Sequence, residues 1–160
     1  MSGRVKVAGL VSLVLSLLLV STAYQVQADP AVQLQVTGYA REMPPGAVMG
    51  AAYLTLINGS PRARRLQKVE LPDNVQASAA MHTTEEVDGV SRMRPLTEIA
   101  VAERGRLEMR PGATHLMLHG VKLKAGELLA LRLVFADGET LDLQIPVRSA
   151  VSAQHQHHHG

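Results

Sequence analysis

Turn-forming residues recur along almost the whole chain, roughly every ten residues, and this spacing limits the length of every segment between them. The turns centre on 44–46, 58–59, 72–74, 88–89, 111–112 and 136–138. The intervening segments alternate apolar and polar residues, as in VQLQVTGYA (32–40) and GELLALRLVFADG (126–138). None of them sustains the 3.6-residue period of a helix. The pattern therefore predicts an all-β fold, either a sandwich or a barrel of short strands.

The first 28 residues have the organisation of a cleavable signal peptide. Arg4 and Lys6 precede an apolar run of 14 residues, and Val26-Gln27-Ala28 follows with the small-residue pattern that signal peptidase recognises. The run is shorter than the about 20 residues that span a bilayer, so we do not expect stable membrane insertion. No cysteine follows the run, which excludes lipoprotein processing. We expect an exported protein whose mature chain begins near Asp29.

Composition narrows the classes of function. The 16 Lys and Arg residues exceed the 14 Asp and Glu residues by two, and both of the extra basic residues lie in the predicted signal peptide. The remainder is formally neutral and has no basic cluster interleaved with aromatic residues, so we expect no nucleic-acid partner. The sequence contains no cysteine, which excludes disulfides, thiol catalysis and thiolate metal sites. It also lacks a GxSxG motif or a paired set of acidic residues, and we do not expect an enzyme.

The organisation we predict is a signal peptide (1–28), one β-sandwich domain (29–148) and a polar, His-rich tail (149–160). The tail has no hydrophobic period beyond Val151 and carries four histidines, His155, His157, His158 and His159. Such a composition is typical of a disordered segment. Two origins of the histidines stay open, a natural metal-collecting tract and the remnant of an expression tag.

Histidine and methionine carry the chemical information in the predicted domain. It contains only three histidines, His82, His115 and His119, and each of them lies next to or two residues from a methionine. Met93 lies across the predicted Asp88-Gly89 hairpin from His82, so the two side chains can share a face. Because strand side chains alternate, the stretch THLMLHG places Leu116 and Leu118 toward the core and its two histidines and Met117 on the other face.

The donor set of two imidazoles and two thioethers selects among metals. Neutral thioether sulfur is soft and suits Cu(I), whereas zinc prefers thiolates, imidazoles and carboxylates. Calcium and magnesium need clustered oxygen ligands, which the sequence does not offer. A blue-copper electron-transfer centre would need a cysteine thiolate. Against this, methionine is a common core filler and a lone strand histidine is often only hydrogen-bonded; we assign Met43, Met49 and Met109 to packing.

The spacing His-x₁₀-Met-x₂₁-His-x-Met resembles the signature of the periplasmic copper chaperones called PCu(A)C. The blocks MPPGAVMGAAYLTLIN, RMRPL and PGATHLMLHGVK agree with that family, and the resemblance covers residues 32–147. It implies a cupredoxin-like (Ig-like Greek-key) β-sandwich with Cu(I) at an exposed site. By position, the ligands would be His82, Met93, His115 and Met117.

The resemblance also implies partners. Family members supply copper for the CuA centre of cytochrome c oxidase, on its subunit II, often beside a Sco-type copper chaperone. We accordingly expect a monomeric copper chaperone in the periplasm. The His-rich tail resembles family extensions that hold a second copper as Cu(II), although it has no methionine. The alternative function is a secreted Ig-like binding module with no core metal site.

His119 departs from the family pattern, in which this position is often methionine. Its imidazole would point to the same side as the side chains of His115 and Met117. It could be an auxiliary ligand, a group that supports the ligands through a hydrogen bond, or a solvated residue, and we favour the last two.

Overall fold

A computed structural model describes residues 34–149, and every regular element in this range is a β-strand. The strands are β1 (Leu34–Arg41), β2 (Met49–Asn58), β3 (Arg64–Glu70), β4 (Ser78–Val87), β5 (Val90–Leu96), β6 (Ile99–Val101), β7 (Arg106–Glu108), β8 (His115–His119), β9 (Leu128–Phe135) and β10 (Thr140–Arg148). The all-β prediction is confirmed. Within the described range, no helix is long and apolar enough to cross a membrane.

The strands form two layers that share one strand order, β5-β4-β8-β2-β1-β10-β9-β3-β6, with β7 paired to β2. One layer runs from β5 to β1 and the other from β10 to β6. A short parallel pairing of β1 with β10, at Ala40–Val147 and Arg41–Arg148, joins them, whereas the other pairs are antiparallel. The sheet is therefore mixed, and β5 and β6 lie at the two ends of this strand order.

Strand alternation supplies the core between the layers. In β8 and β9 the inward residues Leu116, Leu118, Leu131 and Leu133 have no exposed surface. Burying a leucine side chain of this kind contributes about 1.5–3 kcal/mol. The inward face of β8 thus packs in the core, and its outward face can carry the predicted metal ligands.

Gly38 allows β1 and β2 to approach closely. A Cβ atom at this position would lie 2.5 Å from both the Leu54 side chain and the Tyr53 carbonyl oxygen. Real Cβ atoms do not come so near to a backbone atom, so the pairing of these two strands requires glycine here.

Asn58 fastens the end of β2 to the loops beside it. Its side chain is buried, its Nδ2 donates to the carbonyl oxygens of Arg62 (2.8 Å) and Ala102 (2.9 Å), and its Oδ1 accepts from the Ser60 N–H (3.1 Å). The segment between β6 and β7 is thereby tied to the β2–β3 connection. The sequence predicted a turn at this asparagine but not its contacts with Ala102.

The hairpin predicted at Asp88-Gly89 joins β4 to β5. Both turn residues have positive φ angles, 55° and 76°, as a two-residue type I′ turn requires. The pairing that follows sets Thr84 opposite Met93 and His82 opposite Pro95. The short strand β6 was not predicted from the sequence.

The predicted signal peptide (1–28) lies outside the described residues. So does the His-rich tail, apart from Ser149.

Candidate metal centre

The pairing of β4 with β8 brings two of the predicted ligands side by side. His82 lies directly opposite His115 in the antiparallel register. Their rings are nearly parallel, with an interplanar angle of 22° and centroids 6.1 Å apart. Imidazole binds a metal through a nitrogen lone pair in the ring plane with a bond of about 2 Å, so an ion held by both residues would lie at the edges of the two rings. Residues 33 positions apart in sequence thus form one pair of donors.

The two predicted methionine ligands share the face of the histidine pair but lie on opposite sides of it. Met93 faces Thr84, two residues beyond His82 along β4, and Met117 faces Ala80, two residues before it. Each methionine is therefore a diagonal cross-strand neighbour of His82. Diagonal neighbours lie about 7–8 Å apart, within reach of a long side chain. An ion over the histidine pair would receive one thioether from each side.

The opposite face of the same strands fixes this arrangement. Met81 lies opposite both Leu116 and Leu96, and Leu116 lies opposite Ala52 on β2. Met81, Leu116 and Ala52 are buried in the core. A register shift of one residue would expose this apolar set and bury the donors, so the core itself holds the four donors on the outer face.

The four predicted donors differ in exposure within the site that the resemblance describes as exposed. His115 is only 8% exposed, although it lies on the outer face, whereas Met93 on the edge strand is 52% exposed. His82 and Met117 are half-buried. The turn at 110–114 closes on itself and packs against β4, where the Thr84 N–H donates to the Ala113 carbonyl oxygen (3.3 Å). This turn covers His115, which sequence alternation alone could not show.

Hydrogen bonding leaves a ring nitrogen of each histidine for a metal. The Nδ1 of His115 lies 2.8 Å from the Ala113 carbonyl oxygen. Because a carbonyl oxygen only accepts, Nδ1 carries the proton and Nε2 keeps its lone pair. The Nδ1 of His82 is buried and has no hydrogen-bond partner among the described residues. A buried polar atom without a partner costs about 1–3 kcal/mol, and a bound ion would remove that cost.

The donor set fits a soft ion. Within residues 34–149, no group of three or more His, Cys, Asp or Glu side chains is placed to hold a metal. A hard or borderline divalent ion would lack charged ligands there, whereas two thioethers and two imidazoles suit Cu(I).

Two tyrosines lie on the same outer face as the donors. Tyr39 and Tyr53 pack together with ring centroids 5.2 Å apart, and the Arg148 guanidinium lies 4.6 Å above the Tyr39 ring. Burial, reinforced by Tyr53, raises the pKa of the Tyr39 hydroxyl above its ordinary value despite the opposing effect of Arg148. The phenol therefore stays protonated at neutral pH.

The methionines assigned to packing divide into two groups. Met109 is buried and Met43 packs against the core, as expected. The prediction for Met49 was wrong: its side chain is 40% exposed, and it lies opposite His119 at the far end of β8. The register of β2 with β8 decides its position. That register joins residues 70 positions apart and leaves no local signal in the sequence.

The fold of this chain is similar to that of several solved structures. The copper-bound PCuAC domain from PmoF2 matches with a TM-score of 0.59 and 19% identity, over 73% of this chain and 93% of that chain. The CuI-DR1885 structure from Deinococcus radiodurans matches with a TM-score of 0.58 and 28% identity, over 82% and 87%. Apo-DR1885 is 26% identical with a TM-score of 0.58, over 94% and 95%.

These matches and the strand order define a β-sandwich with the cupredoxin-like, Ig-like architecture that the resemblance implied. A family model described as "Putative lipoprotein LpqE-like" matches residues 33–147. The chain thus belongs to the LpqE-like family. A search of curated proteins returned no match.

Proposed function

We propose that the protein is a copper chaperone that binds Cu(I) on its outer sheet face through His82, Met93, His115 and Met117. The observation that carries the proposal is the His82–His115 pair, with ring centroids 6.1 Å apart and a thioether diagonal to it on each side. The copper-bound PmoF2 domain and CuI-DR1885 are structural relatives that carry copper, which supports the same cargo here.

The ligand types explain how such a site could hold copper and still release it. Neutral thioethers and imidazoles bind Cu(I) without the charge of thiolates, so a thiolate acceptor can compete by ligand exchange. Met93 is more than half exposed and would meet the acceptor first. The buried His115, held by its bond to Ala113, would keep the ion in place during the exchange.

The proposal extends to place and partners. An exported, monomeric protein of this kind would act in the periplasm and pass copper toward the CuA centre of cytochrome c oxidase subunit II, directly or through a Sco-type chaperone. The His-rich tail would hold a second copper as Cu(II). The partners follow from the resemblance of the ligand spacing to the PCu(A)C signature.

An anaerobic Cu(I) titration against a chromogenic chelator tests the core site. The protein is the mature chain in which the four tail histidines are replaced by alanine, here called the tail-substituted protein. We expect one tight equivalent. Met93→Leu and Met117→Leu should each weaken it by about tenfold or more, which corresponds to 1.4 kcal/mol. Met43→Leu is the matched control, because it removes a thioether away from the site and should leave the affinity unchanged.

A tail-substituted protein that binds no Cu(I) tightly would contradict the proposal. The function would then be that of an Ig-like binding module without a core metal site. Retained affinity in both Met93→Leu and Met117→Leu would instead refute the thioether ligands.

A further inference from the structure

The row of donors on the outer face continues beyond Met117 to the end of β8. His119 follows Met117 on the same face and lies opposite Met49 of β2 on one side and Ser78 of β4 on the other. Residues directly opposite in an antiparallel pair have Cβ atoms about 4.5–5.5 Å apart. An imidazole and a thioether are therefore cross-strand neighbours at this end of the sheet.

The surroundings leave these donors uncovered. Met49 is 40% exposed and His119 is exposed. Met117, in the next row, has alanines on both sides, Ala51 on β2 and Ala80 on β4. Alanine side chains are too short to cover a thioether. The Met117 side chain can consequently swing toward the His82–His115 pair or toward His119.

The backbone at this end of β8 is held in place. Gly120, directly after His119, has a φ of +75°, and a Cβ atom there would lie 3.2 Å from the Ala77 Cα. The Asn74 Nδ2 donates to the Gly120 carbonyl oxygen at 3.1 Å. His119 is thus presented from a fixed strand end rather than from a loose loop.

We infer that Met49 and His119 form a second, weaker Cu(I) site at the open end of the donor row. His119 is four positions beyond His115 along the strand, about 13 Å, and Met117 lies midway, about 7 Å from each. One thioether and one imidazole suit Cu(I) and provide fewer bonds than the four donors of the first site, so the affinity is lower. That the bound ion is Cu(I) rests on the proposed function. The second site adds a position at which an ion can bind or dissociate.

The test is a Cu(I) titration of the tail-substituted protein carrying ¹³C-labelled methionine methyl groups, followed by NMR under anaerobic conditions. The first equivalent should shift the methyl signals of Met93 and Met117, and the second should shift that of Met49. In a Met49→Leu/His119→Gln variant the second step should disappear. The affinity of the first step should change by no more than about twofold, because neither Met49 nor His119 is among its four donors. The Met43→Leu variant should retain both steps.

Two results would overturn the inference: a Met49 methyl signal that stays unshifted up to two equivalents, or a second step that persists in the double variant. Failure of the proposed function has a different signature. In that case Met93 and Met117 do not respond, and a response of Met49 alone would keep this inference while refuting the first site.

Discussion

Replacing Asn58 by alanine should destabilise the protein more than replacing Asn74 by alanine. The side chain makes three hydrogen bonds of 3.1 Å or shorter: it donates to the carbonyl oxygens of Arg62 and Ala102 and accepts from the Ser60 N–H, and the Val101 carbonyl oxygen lies farther away, at 3.5 Å. All three bonds would be lost in Asn58→Ala. The buried position prevents bulk water from replacing them.

The magnitude follows from these contacts. A typical hydrogen bond contributes about 1 kcal/mol net, so three of them give a loss of about 3 kcal/mol. The carbonyl oxygens of Arg62 and Ala102 keep other partners, the Ser60 hydroxyl and the Gly105 N–H. Neither acceptor is left entirely unsatisfied, whereas the buried Ser60 N–H loses the acceptor that Asn58 provides. For a domain of this size the loss lowers Tm by about 10 °C.

Asn74 provides the matched control. Its Oδ1 accepts from the Gln76 N–H at 3.1 Å, the same local bond that Asn58 makes with Ser60, and its Nδ2 donates to Gly120. Asn74 is exposed, however, so water can take over these bonds. Asn74→Ala should therefore cost about 1 kcal/mol or less.

Urea denaturation followed by far-UV circular dichroism measures both variants beside the unsubstituted protein. A lower midpoint with an unchanged slope identifies a change in stability. If the two variants lose the same free energy of unfolding, burial of the Asn58 contacts does not have the importance that we give it.

Three further predictions concern a close approach, an ion pair and an exposed thioether. Gly38→Ala should lower the free energy of unfolding by about 1–3 kcal/mol, and with it the urea midpoint, because the new methyl group would overlap Leu54. An unchanged midpoint would contradict the packing of β1 on β2. Arg132 hydrogen-bonds Asp142 and lowers the pKa of that carboxyl, so the pair stabilises the fold above the ordinary aspartate pKa and ceases to do so as the pH falls through the lowered value. Asp142→Asn should accordingly lose less stability between pH 7 and pH 2 than the unsubstituted protein, and an identical loss would speak against the pair. Dilute hydrogen peroxide should convert Met93 to the sulfoxide before the buried methionines, as peptide mass spectrometry of the copper-free protein would show, and equal rates would disagree with its 52% exposure.

Most of the fold could be predicted from the sequence because its local signals and its core agree. Turn residues bound the strands, and the alternation in HLMLH by itself assigns Leu116 and Leu118 to the core, where both side chains are fully buried. The Asp88-Gly89 turn even determines the register that sets Thr84 opposite Met93.

What the sequence could not provide was nonlocal. The pairing of His82 with His115 and of Met49 with His119 depends on strands that are distant in the chain. No periodicity reports such a contact. The burial of His115 depends on a turn that packs against another strand, and it is equally invisible to a pattern of apolar and polar residues.

Because β5 lies at the sheet edge, we expect the backbone to be more mobile on the Met93 side of the proposed site than on the histidine side. Strands β4 and β8, which carry the two histidines, have hydrogen-bonded neighbours on both sides. Among residues 34–149, β5 pairs only with β4, and it contains Pro95, which has no N–H. Local opening is easiest where backbone hydrogen bonds are fewest, and we expect amide hydrogen exchange to be faster in β5 than in β8. Copper would then dissociate in a fixed order. The edge strand would open and the Met93 thioether would dissociate first, and the two histidines would keep the ion bound until the acceptor has bound it.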